Sequence, residues 1–163
     1  MIVRPATAAD AQAMVDVINP IIAQGGTTAY QTPYDAAGML AKHIAPAAGV
    51  SCMVAEHAGK VIGFQSLFWP TDPSDTFPDG WAIIASFVAV EAAGKGAGQH
   101  LFAATKVAAQ KAGVKVIDAT IRADNTPGLR YYSGVGFEDY DRLIGVPLQD
   151  GTRVDRVRKR LNV

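Results

Sequence analysis

Three glycines, Gly94, Gly96 and Gly98, stand at alternate positions between an apolar run ending at Val90 and an amphipathic stretch beginning at Leu101. The order is strand, tight loop, helix, and such a loop can hold an anion. Glycine permits dihedrals and close approaches that a Cβ forbids. The first turn of the following helix leaves N–H groups unpaired and carries roughly half a positive charge. A pyrophosphate is the natural guest. A Gly-rich strand-to-helix turn also serves chain geometry alone, so the rest of the sequence has to choose. Other residues with chemistry of their own are few. His43, His57 and His100 are possible bases, although a turn position for His57 and a helix position for His100 suit surface or structural roles. Cys52 is the single cysteine, and in S-C-M-V-A it reads as a small buried apolar residue with neither a disulfide partner nor a metal cluster around it.

The chain has 163 residues, 49% of them apolar, with 15 basic against 15 acidic side chains. That length predicts a single domain over residues 1–163 with a sizeable core. The composition excludes disorder and a strong pull toward nucleic acid or anionic lipid. No apolar h-region follows a basic start, and no stretch reaches the roughly 20 apolar residues of a membrane span. A reducing, cytoplasmic compartment is the expectation. A dinucleotide-binding oxidoreductase would also use glycines before a helix, with Asp118 about 20 residues on. It is the poorer fit, because the spacing is G-x-G-x-G, the unit lies mid-chain, and one domain leaves no separate substrate half.

The elements that would hold the glycine loop in place follow from periodicity and caps. Residues 2–5 are short and β-like. Thr7 is an N-cap with Asp10 near the first turn, and Ala11, Met14, Val15, Val17, Ile18, Ile21 and Ile22 recur at helical spacing. Pro20 interrupts them, which predicts a helix that ends or kinks there. Thr32 and Pro33 read as the N-cap and first residue of a second helix, with Met39, Leu40 and Ile44 on its apolar side and Pro46 closing it. Residues 51–56 and 61–69 are β-rich and separated by H-A-G-K, a hairpin pattern. A Pro-rich loop, 70–80, leads to the nearly continuous apolar run 81–90, expected as a central strand covered on both faces. The helix after the glycines buries Leu101, Phe102, Thr105, Val107 or Ala108, and Ala109, and stops at Gly113. Residues 114–121 read as another core strand, so a right-handed crossover joins two parallel neighbours. Asn125-Thr126-Pro127 opens a short helix that Gly134 and Gly136 end. Residues 137–146 and 153–161 are the last strands, joined around Gln149-Asp150-Gly151. The basic run 153–160 is interrupted by Asp155 and holds no aromatic residue for base stacking, so it is expected as a charged edge strand and not as a nucleic-acid surface.

The resulting order, β-α-α-β-β-β-α-β-α-β-β, is an α/β class with an α+β mixed sheet, and over nearly the whole chain it resembles the GCN5-related N-acetyltransferases with their acyl-CoA N-acyltransferase fold. Two motifs carry the resemblance. Val88, Ala89 and Val90, followed by Ala93, Gly94, Lys95, Gly96, Ala97 and Gly98, are similar to that family's strand end and its Gln/Arg-x-x-Gly-x-Gly/Ala pyrophosphate loop. N-T-P-G-L-R-Y-Y-S-G-V-G-F at 125–137 is similar to its Asn, short Tyr-bearing helix and Gly-Phe. Ala93 stands where Gln or Arg commonly opens the loop, which removes one side-chain contact to phosphate and leaves Lys95 or Gln99 to compensate. A looser similarity, in I-V-R-P-A-T-A-A-D-A, T-T-A-Y and V-D-R-V-R-K-R-L, is to the phosphinothricin and methionine sulfoximine acetyltransferases, a group that often forms homodimers.

The resemblance implies transfer of an acetyl group from acetyl-CoA to a primary amine, in this group the α-amino group of a small amino-acid analogue. Acetyl-CoA would lie against Val88, Ala89, Val90, the loop residues Gly94, Lys95, Gly96, Ala97, Gly98 and Gln99, and also Asn125 and Tyr132. The acceptor ammonium, of pKa about 10, must lose a proton, and a backbone N–H near Val88 would steady the thioester oxygen. Tyr132, at the family's Tyr position, would reprotonate the leaving thiolate. Tyr131 is its rival, since adjacent helical residues point about 100° apart and only one can face the sulfur. Asn125 would contact the pantetheine arm, cap its helix, or do both. No carboxylate precedes Glu91 on the strand where relatives often place a Glu base. Deprotonation would then pass through a water held by Ser86, or through Asp72, Asp75 or Asp79. The expected partner is a small-molecule amine, with no nucleic acid, membrane or metal involved. Acetylation of a peptide or protein N-terminus, and CoA sensing without catalysis, are the alternatives.

Overall fold

The computed structural model describes residues 1–163. Its elements are β1 (Ile2–Pro5), α1 (Ala11–Gln24), α2 (Ala36–Met39), β2 (Gly49–His57), β3 (Lys60–Phe68), β4 (Trp81–Val88), α3 (Ala97–Lys111), β5 (Val116–Arg122), α4 (Thr126–Gly134), β6 (Glu138–Pro147) and β7 (Arg153–Asn162). The strands form one mixed sheet in the order β1-β2-β3-β4-β5-β7-β6. The β2–β3 hairpin is antiparallel, and β4 and β5 are parallel across the α3 crossover. Both expectations hold. One apolar cluster centres on Met14, Ile18, Met39, Val54 and Phe64, and a second on Leu67, Phe102, Ile117 and Phe137. Burying each such side chain contributes about 1.5–3 kcal/mol. No helix is long and apolar enough to cross a membrane.

Four expectations are corrected. First, of the end or kink expected at Pro20, the end is not there: α1 runs on through Pro20 to Gln24. Pro20 lies on the exposed face, where water can reach the carbonyl it leaves unpaired, while buried Ile18 and Ile22 on either side hold the helix to the core. It ends at Gly25, at φ +70°, whose N–H reaches the carbonyls of Ile21 and Ile22. Second, the next helix starts after Asp35, whose Oδ1 accepts from the Gly38 N–H at 2.7 Å. The Tyr34 N–H donates instead to Asn19 Oδ1 at 2.8 Å, which ties Tyr34 to α1 outside any helix. Third, β7 is not an edge strand but lies between β5 and β6. Its alternation explains why: Val157, Lys159 and Leu161 are buried on one face, with the Lys159 ammonium paired to Asp139 and donating to Ser133 Oγ. Fourth, β4 is central but not covered on both faces: Ala82 and Ile84 are buried, whereas Trp81 and Ile83 and then all of Ala85, Ser86, Phe87 and Val88 are partly open.

Candidate active site

β4 pairs with β3 from Ile83 to Val88 but with β5 only at Trp81, Ala82 and Ile83. Beyond Ile83 the two parallel strands part, so residues 84–88 keep one edge without a strand partner. Two clefts open along that edge. One, of about 580 Å³, lies over the glycine loop and the start of α3. The other, of about 450 Å³, lies over the face formed by β4, β5 and β7. Ser86, Phe87 and Asn125 line both, so the clefts meet at the second half of β4.

In the first cleft, Gly94 and Gly96 sit at φ +77° and +83°, a region where L side chains are strained. No side chain caps α3, so the N–H groups of its first turn have no partner from a capping residue. Gly98 is needed for a different reason: a Cβ there would stand 2.6 Å from the Tyr131 ring. Acetyl-CoA fits these residues, since the open loop and the helix start offer donors and a positive dipole to its pyrophosphate. Val88 and Val90 continue the wall toward Ser86 as an apolar lining for its pantetheine arm.

Where the clefts meet, one amide ties the polar groups together. Gln65 is fully buried on β3, in register with Ser86. Its Nε2 donates to Ser86 Oγ at 2.8 Å and to Tyr131 Oη at 3.0 Å. Tyr131 Oη donates onward to the Gly98 carbonyl at 2.7 Å, and Ser86 Oγ meets Tyr132 Oη at 2.8 Å. Burial pushes the Tyr131 phenol up to about 12. The Tyr132 phenol is also raised by burial, against the lowering effect of Ser86. Both hold their protons at neutral pH.

The second cleft is walled by Phe68, Phe77, Ile83 and Leu143. Asp118 is fully buried on β5, where it accepts from Tyr140 Oη at 2.6 Å and Thr120 Oγ1 at 2.8 Å. Burial raises its pKa against those hydrogen bonds, which suits a group that receives a proton. The Arg158 guanidinium lies 4.5 Å from the centre of the Phe77 ring, and its Nε is 3.7 Å from Asp118 Oδ1. Arg122 and Arg156 complete the cationic wall.

Of the residues expected around acetyl-CoA, Val88, Val90, Gly94, Gly96, Ala97 and Gly98 line the first cleft. Gln99 and Asn125 line it too. Ala89 is buried with its N–H on the Ile62 carbonyl. Of the two candidates to compensate for the missing loop side chain, Gln99 lines the cleft, whereas Lys95 is exposed and outside it. Tyr131 lines the first cleft and Tyr132 the second. Asn125 caps α4, accepting from the Gly128 N–H at 3.0 Å, and donates to the Thr27 carbonyl at 2.9 Å.

Among the possible bases, Asp75 lines the second cleft, and Asp72 is turned onto Ser74. His43 is 1% exposed, its pKa lowered to about 4 by burial and by the neighbouring charge of Lys42. His57 ends β2 at the hairpin, and His100 Nδ1 lies 2.8 Å from the Gly96 carbonyl. Gln65, Asp118 as a cleft residue, Arg122, Arg156 and Arg158 were not legible as site residues. A signal existed for two: Gln65 and Asp118 each stand as a polar residue inside an apolar strand run.

Comparison with known proteins agrees with this geometry. The family model described as the acetyltransferase (GNAT) family matches residues 19–137. No curated protein matches the chain. Among solved structures, the chain is similar to a ribosomal-protein-alanine N-acetyltransferase from Brucella melitensis, at 24% identity and TM-score 0.83, over 100% of both chains. It is also similar to a GCN5-related N-acetyltransferase from Kribbella flavida, at 22% identity and TM-score 0.81, over 99% of this chain and 97% of that one. A phosphinothricin acetyltransferase from Sinorhizobium meliloti, in complex with acetyl-CoA, matches at 19% identity and TM-score 0.81, over 99% of this chain and 88% of that one. At such identities the structures speak for the fold, and the family model, which spans most of the chain, speaks for its membership. The chain therefore belongs to the acetyltransferase (GNAT) family, and it is an acetyl-CoA-dependent N-acetyltransferase.

Proposed function

We propose that the protein acetylates the primary amine of a small molecule, and that this amine is the α-amino group of an amino-acid analogue such as phosphinothricin or methionine sulfoximine. The observation that carries the reading is the meeting of two clefts at Ser86 and Phe87, one with a phosphate-binding loop and one of about 450 Å³. That volume falls in the range of small-molecule sites, and the arginines on its wall suit an acceptor that carries an acid group.

Acetyl-CoA supplies a thioester carbonyl as electrophile and departs as a thiol. The chain's residues divide the remaining work. The glycine loop and α3 hold the pyrophosphate, and the open edge of β4 near Val88 presents backbone groups to the thioester. Gln65 donates into Ser86 Oγ, which frees the Ser86 proton to point at Tyr132 Oη. Tyr132 can then aim its own proton into the site, where it is the acid for the leaving sulfur. Asp118 and Asp75 are the carboxylates beside the amine, and Asp118, with its raised pKa, is the better proton acceptor.

Thiol release from acetyl-CoA tests the reading with a panel of phosphinothricin, methionine sulfoximine, ordinary amino acids, polyamines and short peptides. Saturable turnover on the first two is expected. Turnover confined to peptides would replace the small-molecule acceptor with a polypeptide N-terminus.

A further inference from the structure

Arg122 and Arg156 stand directly opposite each other on β5 and β7. Both side chains line the second cleft. Like charges so placed repel, and only Arg122 has a carboxylate in direct contact. Arg122 is paired with Asp124 at 2.8 Å. Arg156 is half-buried with no carboxylate in contact, and its Nε is enclosed without a hydrogen-bond partner. Burial and the Arg122 charge lower its pKa, against the more distant Asp75 carboxylate on the same cleft wall, which raises it. A guanidinium in that state is completed by an anion, for which its planar fork is shaped.

The position of the pair says where on the acceptor that anion sits. Asp118 is level with Ile83 across the β4–β5 ladder, and Arg122 lies four residues beyond Asp118 as Phe87 lies four beyond Ile83. The two arginines therefore stand across the opening from Ser86 and Phe87, where the clefts meet. An acid group held there is next to the reacting amine and not at the far end of the molecule.

We infer that Arg156, backed by Arg122, binds the α-carboxylate of the acceptor, and that this contact makes the protein select α-amino acids over simple amines and polyamines. The inference rests on the reading of the second cleft as the acceptor site. The carboxylate accepts from the guanidinium of Arg156 and offsets its repulsion from Arg122. The amine then turns toward Ser86, and the acceptor's side chain runs along the wall of Phe77 and Ile83.

The test compares methionine sulfoximine as the free acid with its α-carboxamide, on the wild type, Arg156→Gln and Arg156→Lys. Calorimetric binding to the CoA-bound protein, steady-state turnover and thermal unfolding are measured for each. Arg156→Gln is expected to raise Kd and KM for the free acid about 10 to 100-fold, the size of one charge-assisted contact, with kcat changed only a few-fold. Arg156→Lys falls between, and the carboxamide binds all three proteins alike and weakly. The Tm of ligand-free Arg156→Gln stays level or rises, because a repulsion is removed. A lowered Tm with equal losses on both ligands would make Arg156 structural and overturn the inference. So would equal affinity of the wild type for acid and carboxamide, or binding of neither. Acid-dependent binding that Arg156→Gln abolishes, with no turnover of any amine, would leave the arginine site standing and fail the acetylation of amino acids. Turnover of acid and carboxamide alike would do the reverse.

Discussion

Tyr131 and Tyr132 diverge by the 100° or so that separates neighbours on a helix, and this sends one phenol to each cleft. Tyr131 is bound to the glycine loop through the Gly98 carbonyl, Tyr132 to β4 through Ser86. Their substitutions should therefore separate in kinetics. Tyr132→Phe is expected to lower kcat by about 10 to 10⁴-fold while the affinity for acetyl-CoA holds. Tyr131→Phe frees the Gly98 carbonyl and is expected to raise the KM for acetyl-CoA roughly 5 to 10-fold with kcat nearly kept. The opposite pattern in steady-state assays would exchange their roles. The raised pKa of Tyr132 has a further consequence. Its proton stays in place while the acceptor amine loses its own, so kcat/KM should climb with pH toward the amine's pKa, without a falling limb from this acid below about pH 10.

A strand that stops pairing, a loop and a helix start make the proposed cofactor site as one unit. Its tolerance for side chains differs at each glycine for a physical reason. At Gly96 the obstacle is the backbone: φ is +83° and the nearest atom to a new Cβ, in His100, is 3.7 Å away. At Gly98 the obstacle is a neighbour, the Tyr131 ring at 2.6 Å. Gly96→Val should distort the loop at a cost of about 1–3 kcal/mol and weaken acetyl-CoA binding about tenfold or more. Gly98→Ala should act by displacing Tyr131, so it should be close to neutral in a Tyr131→Ala background. Titration of CoA into Gly96→Val, Gly98→Ala, Tyr131→Ala and the Gly98→Ala/Tyr131→Ala double variant checks this, and full affinity in Gly96→Val would reduce that glycine to a simple turn residue.

Across the whole molecule, acid should act first through His43. It lies on the helical turn Leu40–Ile44 that continues from α2 and is enclosed against β3, with the rings of Tyr34 and Phe64 at 5.5 and 5.4 Å. Its Nδ1 lies 2.9 Å from Ser66 Oγ. Its pKa is about 4 in the folded state against 6.5 in the unfolded chain, so between those values the unfolded state binds more protons. Stability is complete above pH 6.5 and falls as pH drops toward 4, with a loss of about 2 kcal/mol by pH 5. Asp10 acts in the same direction lower down. The Arg4 guanidinium holds it at about 2 against 3.8 unfolded, so its contribution is lost as pH falls through that window. Thermal unfolding at pH 7 and pH 5 should show a lower Tm at pH 5, and His43→Phe should flatten the difference. An unchanged pH dependence in that variant would clear His43.

Much of this fold was legible in one dimension because the forces that write it are local. The order of elements follows from hydrophobic period and punctuation, and Asn125 as a cap follows from its place before Thr126-Pro127. The glycine loop was legible for the same reason, since an anion site of backbone N–H groups needs only its own few residues. The site at its edge was not. Gln65, Ser86, Tyr131 and Tyr132 meet through hydrogen bonds that span 21, 46 and 66 residues, and no periodicity encodes such distances. The same holds for the acceptor wall: Arg156 reads as one more charge in a basic run until β7 enters the sheet between β5 and β6 and brings it opposite Arg122. Local sequence settles which segments become strands and helices, because dihedral preference and amphipathic period act over a few residues. Which strands lie side by side, and where β4 and β5 part, is set by packing of the whole sheet, and the acetyl-transfer site proposed above lies in that parting.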